Sequence, residues 1–140
     1  MLADKFSAEV RSNIMRSIRS TTKLEEIVCK ELWQRGLRYR RNVKDLFGKP
    51  DIAIKKYKVV IFLDSCFWHN CPIHGHLPKS NVEYWKKKLY RNAKRDYTVN
   101  NHYYEKGWHV LRIWEHQVKE DFERVINGII DFVEKAKAQK

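Results

Sequence analysis

Residues 49–76, KPDIAIKKYKVVIFLDSCFWHNCPIHGH, contain the stretch that decides the fold. Residues 51–54 are a carboxylate followed by small and branched apolar side chains, and residues 59–63 are β-branched, aromatic and aliphatic. Both runs are typical of short strands, and the polar residues 55–58 between them are typical of a turn. The sequence therefore predicts a β-hairpin, whose second strand is buried and ends in a loop of cysteine, histidine and aromatic residues.

The hairpin predicts a cluster of oxygen atoms at one end of its strands. With the turn centred near residues 56–57, Asp51 lies across from about Leu63, and in either neighbouring register it lies close to Asp64. Carboxylate and carbonyl oxygens are the hard ligands that suit Mg²⁺. Asp51, the Leu63 carbonyl and Asp64 are therefore candidates for a magnesium site. In the alternative interpretation, Asp51 caps a turn and Asp64 is a solvated strand end.

Cysteines and histidines follow the second strand with a spacing typical of a metal site. Cys66, Cys71 and His74 form a C-x4-C-x2-H pattern. Thiolate and imidazole are preferred ligands of structural zinc, which is usually four-coordinate. The candidate for the fourth ligand is His116, and His76 is its local competitor. In the alternative interpretation, the segment is a reduced loop with incidental histidines.

The centre of this loop carries the adjacent side chains Phe67, Trp68 and His69. His69 is not needed for the zinc tetrahedron, and an unperturbed imidazole titrates near neutrality, so it is a candidate general base or acid. A spare ligand or a packed side chain is the alternative. Exposed neighbouring aromatics would be unusual on a protein without a partner, although core packing of Phe67 is an alternative.

The composition favours a nucleic-acid partner. The 140 residues include 29 Lys plus Arg against 17 Asp plus Glu, which gives a net charge of +12 and a pI near 9.7. Three cysteines fit a reducing compartment, and neither a membrane span nor a signal peptide is apparent. We therefore expect a single intracellular domain over residues 1–140, cytoplasmic and nucleoid-associated, with a basic tail at residues 135–140.

The other elements predict a mixed sheet with helices on both faces, in the order α-α-β-β-β-α-β-α. A capping box, Thr22 to Glu25, predicts a helix that ends at Gly36. Residues 37–43 and 108–114 read as strands. Asn81 caps a predicted helix over residues 82–106, Gly107 ends it, and apolar residues from Phe122 onward have the spacing of a last helix.

The helix over residues 82–106 is the densest basic stretch. It is either a solvated cationic face or a phosphate-contacting helix with an aromatic end; the candidate DNA contacts are Trp85, Lys88, Asn92 and Arg95. Residues 7–19 form a basic amphipathic segment, which is either a helix packed on the core or an arm that clasps DNA with Met15 or Ile18 wedged against bases.

Four segments together resemble the very-short-patch repair (Vsr) mismatch endonuclease family: GKPDI, VIFLDSCFWHNCPIH, PKSNVEYWKKKLYRNAKRD and GWHVLRIWEH. The resemblance covers about residues 11–117. It implies a restriction-endonuclease-like fold, a structural zinc ion, and Mg²⁺-dependent nicking 5′ to the T of a T:G mismatch in double-stranded DNA. It also supports an N-terminal DNA-clasping arm within residues 1–20.

The resemblance further implies roles for individual residues. It places Glu25 near the active site and gives His69 the role that a lysine plays in the wider fold. Cys66 and His116 match zinc positions, whereas Cys71 and His74 are chosen by their chemistry. The position of Asp64 varies in the family.

Two other functions remain open at this point. One is a zinc-stabilised DNA-binding module without catalysis, for which the basic helix and the aromatics would serve equally well. The other is a nuclease of the same fold that acts on a nick or a flap. For the mismatch endonuclease we expect a monomer without a membrane partner, and other mismatch-repair proteins are candidate partners.

Overall fold

The predicted hairpin forms, and it organises the sheet. In this computed structural model, which describes residues 21–65 and 79–139, strand β2 (Ile52–Ile54) turns through a single 3-10 turn, Lys55–Tyr57, into strand β3 (Val59–Asp64). Lys58 closes the turn in the left-handed region at φ 57°. The strands pair antiparallel with Ile52 opposite Ile61. If this register is continued by one residue, Asp51 lies opposite Phe62. The sequence predicted that Asp51 would lie opposite about Leu63, which is the next residue of β3.

The remaining elements complete an α/β fold around a four-stranded sheet of order β1-β2-β3-β4. They are α1 (Thr21–Gln34), β1 (Arg40–Arg41), α2 (Val82–Glu105), β4 (His109–Trp114), α3 (Glu115–Glu120) and α4 (Phe122–Ala138). Strands β1 and β2 are antiparallel, and β4 runs parallel to β3 after the α2 crossover. The predicted mixed sheet is therefore confirmed.

Two apolar cores cover the two faces of the sheet, as predicted. Alternation along β3 sends Val59, Ile61 and Leu63 toward α1 and α4, and sends Val60 and Phe62 toward α2. The core beneath α1 and α4 is formed by Leu24, Val28, Leu32, Ile52, Ile54, Ile113, Val118, Phe122, Ile126, Ile129 and Val133, among others. The core beneath α2 is smaller and adds Val43, Ala53, Val99 and Tyr103.

Several predicted boundaries were wrong. Strand β1 covers only two of the predicted residues 37–43. It ends at Arg41 because Asn42 takes a left-handed conformation at φ 47°, which breaks the extended chain. Thr22 lies inside α1 rather than at its cap. The start of α2 was predicted correctly, since Asn81 precedes the first helical residue, Val82; Asn81 has φ 55°, and its side chain makes no capping hydrogen bond.

The ends of the later helices follow the sequence more closely. Gly107 follows α2 at φ 76°, in the left-handed conformation expected of it. The short α3 was not predicted; Gln117 Oε1 accepts a hydrogen bond of 2.8 Å from the Trp114 N–H where this helix begins. Helix α4 continues through residues 135–138 of the predicted tail, and Ala136 is buried.

Within residues 21–65 and 79–139, no helix combines the length and the apolar character needed to cross a membrane. The predicted N-terminal segment and the cysteine- and histidine-rich loop lie outside the described residues.

Candidate functional site

The ends of the hairpin strands form one wall of a cavity of about 380 Å³, and α2 forms the opposite wall. Asp51 Oδ2 accepts a hydrogen bond of 2.7 Å from the Leu63 N–H, so the carboxylate is held against the strand end. The cavity is lined by Gly48, Lys49, Asp51, Phe62, Leu63, Asp64, Lys88, Asn92, Arg95, Asp96, Val99 and Arg112. The structure thus brings together six of the residues that the sequence singled out: Asp51, Leu63, Asp64, Lys88, Asn92 and Arg95.

Asp51 carries an unusually high proton affinity. Burial raises its pKa to about 7, and the negative charges of Glu25 and Asp64 add to the rise, while the hydrogen bond from the Leu63 N–H opposes it. Arg41 lies beside Glu25 and Arg112 binds Asp64, whereas the Asp51 carboxylate itself is held by a backbone N–H. A proton or a cation bound at Asp51 would supply positive charge there.

Glu25 reaches this cluster from α1. Its Oε1 atom is buried and has no hydrogen-bond partner among the described residues, although Arg41 Nη2 lies 3.5 Å away. A side-chain hydrogen bond in which the protonated Asp51 carboxyl donates to Glu25 contributes to the raised pKa of Asp51, so the two carboxyl groups are close. The structure therefore places Glu25 beside Asp51, where the resemblance puts it.

Asp64 is held by an arginine that the sequence analysis did not single out. It is only 5% exposed, and Arg112 Nη1 lies 2.9 Å from Oδ1 and 3.2 Å from Oδ2. Asp96 Oδ1 lies 3.8 Å from the same nitrogen. Asp64 is thus a buried, arginine-bound carboxylate, not the solvated strand end of the alternative interpretation. Alternation along β4, which gives Arg112 the same face as Val110, was the signal that could have found it.

Helix α2 presents its predicted DNA contacts on one face. Lys88, Asn92 and Arg95 stand at helical spacing and all line the cavity. Trp85 lies one turn earlier, and its ring is 5.7 Å from Lys88 Nζ. The cationic side of α2 therefore faces the same space as Asp51.

The loop before Asp51 is shaped by Gly48. Its φ is 78°, and a Cβ there would lie 2.7 Å from Val99 Cγ1, so only glycine lets the loop approach α2 this closely. Lys49, also at positive φ, adds a further cation to the cavity wall.

Most of the predicted zinc and mismatch-reading residues cannot be placed. Met15, Ile18, Cys66, Phe67, Trp68, His69, Cys71, His74 and His76 lie outside the described residues. His116 lies on α3. In the described part of the chain, no group of three or more His, Cys, Asp or Glu side chains is arranged to hold a metal ion.

A smaller set of donors does fit a hard divalent cation. Asp51 supplies a carboxylate, the adjacent Leu63 backbone supplies a carbonyl, and Glu25 has a buried Oε1 atom to which no described residue donates a hydrogen bond. Oxygen donors of this kind, completed by water and substrate oxygens, are typical of Mg²⁺ sites. The raised proton affinity of Asp51 is also what a cation would relieve.

Comparisons with known proteins agree with this chemistry. A family model described as DNA mismatch endonuclease Vsr matches residues 3–74. The type II nicking enzyme V.NmeAIP of Neisseria meningitidis is 39% identical over 94% of this chain and all of its own length. The type II nicking enzyme V.NaeI of Lentzea aerocolonigenes is 44% identical, over 78% of this chain and 69% of its own.

A further relative is the DNA mismatch endonuclease Vsr of Escherichia coli, which is 34% identical over 81% of this chain and 74% of its own length. Vsr nucleases generally use a divalent metal ion. These similarities exclude the interpretation as a non-catalytic binding module: the protein is a DNA endonuclease, and it belongs to the DNA mismatch endonuclease Vsr family.

Proposed function

We propose that this endonuclease nicks one strand of duplex DNA 5′ to the T of a T:G mismatch, with Mg²⁺ as its catalytic ion. It would thereby initiate very-short-patch repair of deaminated 5-methylcytosine. The observation that carries the proposal is the Asp51–Leu63 strand end, which faces the cationic side of α2 across one cavity. The proposal includes a restriction-endonuclease-like core and a single intracellular, cytoplasmic domain that acts as a monomer.

The proposed Mg²⁺ ligands are the Asp51 carboxylate and the Leu63 carbonyl, with Glu25 adjacent. When bound, the ion supplies positive charge to the scissile phosphate and to the oxygens that attack and leave. The role of the protein chain is to hold the ligands of the ion in position. The hydrogen bond from the Leu63 N–H fixes the Asp51 carboxylate at the strand end, where it lines the cavity.

The phosphodiester is held from the other wall of the cavity. Lys88 and Arg95 offer cationic donors on one face of α2, and Asn92 lies between them. Two positive side chains that line the same cavity as Asp51 offset the repulsion between a carboxylate and a phosphate. His69, which follows β3 in the chain, would activate the attacking water or transfer its proton.

Mismatch selection is assigned to aromatic and apolar side chains. Phe67, Trp68 and Trp85 would stack into the duplex beside the mismatch, and Met15 or Ile18 of the N-terminal arm would be wedged against the bases from one groove. A mispaired step costs less to unstack than a matched one. Intercalation would therefore convert the weakness of the T:G pair into selectivity.

A structural zinc ion is the second proposed metal. Its ligands would be Cys66, Cys71, His74 and His116, with His76 as the competitor for the last place. In this arrangement zinc joins the loop after β3 to α3 and so fixes His69 near the strand end.

The test is cleavage of an end-labelled duplex with one T:G mismatch, beside matched T:A and C:G duplexes, with Mg²⁺ or EDTA. The wild type should give one nick 5′ to the T, only in the mismatched duplex and only with Mg²⁺. Asp51→Ala should bind the mismatched duplex and leave it intact. Equal cutting of all duplexes would contradict the mismatch specificity, and cutting in EDTA would contradict the metal requirement.

A further inference from the structure

Arg112 occupies a central place in the cavity, and the sequence predicted no role for it. It stands opposite Phe62 in the parallel β3–β4 register, and its guanidinium carbon lies 4.2 Å from the centroid of that ring. Its side chain is 18% exposed and lines the cavity beside Asp51 and Leu63. Strand pairing and ring stacking together fix its orientation.

The guanidinium joins the end of β3 to α2. Nη1 donates to both carboxylate oxygens of Asp64, and Nε donates a hydrogen bond of 2.7 Å to Asn100 Oδ1 on α2. Asp96, also on α2, lies 3.8 Å from Nη1. One side chain thus links the residue after Leu63 to the helix that carries the proposed phosphate contacts.

These contacts differ from an ordinary surface ion pair. Asp64 is 5% exposed, so removal of Arg112 would take the guanidinium charge away from a buried carboxylate. With two carboxylates within 4 Å, the positive charge of Arg112 is largely compensated before any DNA binds. The arrangement suits a group that holds other groups in place rather than one that binds the substrate phosphate.

We propose that Arg112 is a positioning residue for strand cleavage, which sets the distance between the Asp51–Leu63 strand end and the phosphate-contacting face of α2. The inference rests on the proposed function. Arg112 acts through Asp64 at the strand end and through Asn100 and Asp96 on the helix. Because a metal site depends on the groups around its ligands, loss of such a support lowers activity by roughly tenfold to a hundredfold in other enzymes.

The test is single-turnover nicking of the T:G duplex by Arg112→Met, Arg112→Lys and the matched control Arg124→Met, an exposed arginine of α4. Arg112→Met should lower the maximal rate by roughly tenfold to a hundredfold, with less than about a threefold change in half-saturating concentration. Arg112→Lys should restore only part of the rate, because an ammonium cannot reproduce the planar, multidentate contacts of a guanidinium. Arg124→Met should match the wild type.

A double-mutant cycle with Asp64→Asn shows whether Arg112 acts through Asp64. In the Asp64→Asn background the Arg112→Met change should cost less than about threefold, because the buried charge is already gone. Additive effects, or a raised half-saturating concentration with an unchanged maximal rate, would overturn the inference. So would a folded Arg112→Lys or Arg112→Met variant that nicks as fast as the wild type. A wild type that fails to nick would instead contradict the proposed function.

Discussion

The two faces of the sheet carry the same strands but different kinds of interior. Toward α1 and α4, side chains such as Val28, Leu32 and Ile126 are fully buried and apolar. Toward α2, the apolar packing around Val60 and Val99 gives way at the strand ends to the charged lining of the cavity. The first face supplies stability, whereas the second gives up part of it to hold buried carboxylates close together.

Leu32→Ala should weaken the packing on the apolar face only. Of the substitutions considered, it should cause the largest loss of stability. Leu32 is fully buried in the core beneath α1 and α4, so its truncation should lower the free energy of unfolding by about 2–5 kcal/mol. Denaturant unfolding measures the loss. The nicking rate per folded molecule should stay within about twofold of the wild type, since the α2 face is untouched. A large loss of rate at a temperature where the variant is folded would show that the two faces are not separable.

Asp51→Asn should have the opposite effect on stability, and the effect should depend on pH. The pKa of Asp51 is raised from 3.8 to about 7 in the folded state, so between these values the folded protein binds more protons than the unfolded chain. The wild type therefore loses stability as pH rises from about 4 to about 7 because of this group.

An asparagine carries no such cost. Without divalent ions, Asp51→Asn should be more stable than the wild type by on the order of 2 kcal/mol at pH 8, and by much less at pH 4. The exposed Asp131→Asn serves as the control and should not show this pH-dependent difference. If Asp51→Asn were less stable than the wild type at pH 8, the result would contradict the claim that burial and neighbouring carboxylates raise the pKa of Asp51.

Alanine substitutions at two glycines, one next to α2 and one in α4, compare the two faces of the sheet directly. Gly48→Ala would put its Cβ 2.7 Å from Val99 Cγ1 in a left-handed backbone, and should cost about 1–3 kcal/mol of stability. Gly128→Ala, in α4, meets nothing within 4 Å and should add up to about 1 kcal/mol through helix propensity. Thermal unfolding measures both. Equal shifts for the two variants would contradict the close approach of the Gly48 loop to α2.

The smallest expected effects concern phosphate contacts on α2. Lys88→Gln and Arg95→Gln should each reduce the slope of log binding constant against log salt concentration by about 1, on matched and mismatched duplexes alike. Lys135→Gln, at the far end of α4, is the control and should leave the slope unchanged. Fluorescence anisotropy over a salt series measures all three. An unchanged slope for both α2 variants would show that this helix does not contact the DNA phosphates.

The hairpin and its carboxylate were predictable because they are local. The run from Val59 to Leu63 specifies a buried strand, and a short turn necessarily brings Asp51 back to its end. The faces of the sheet followed from alternation, and the basic face of α2 from helical spacing. Each of these inferences uses residues close together in the chain.

The rest of the site depends on contacts between distant residues. The arginine that binds Asp64 lies 48 positions away, and only the parallel pairing of β4 with β3 brings it there. Strand β1 ends early because of one backbone angle at Asn42, which no composition rule specifies. The Thr22 cap was wrong because Thr21, the residue before it, is already helical, and a four-residue capping pattern alone does not fix where a helix begins.

The measurement that tests the account most directly is the effect of Mg²⁺ on thermal unfolding of the wild type and Asp51→Asn, at pH 8 without DNA. An ion bound at Asp51 and the Leu63 carbonyl stabilises only the folded state, by about 1.4 kcal/mol at ten times its dissociation constant. We expect the midpoint of the wild type to rise by several degrees with increasing Mg²⁺ and that of Asp51→Asn to stay constant. Equal shifts in both proteins, or none in either, would contradict a cation site at the end of the hairpin.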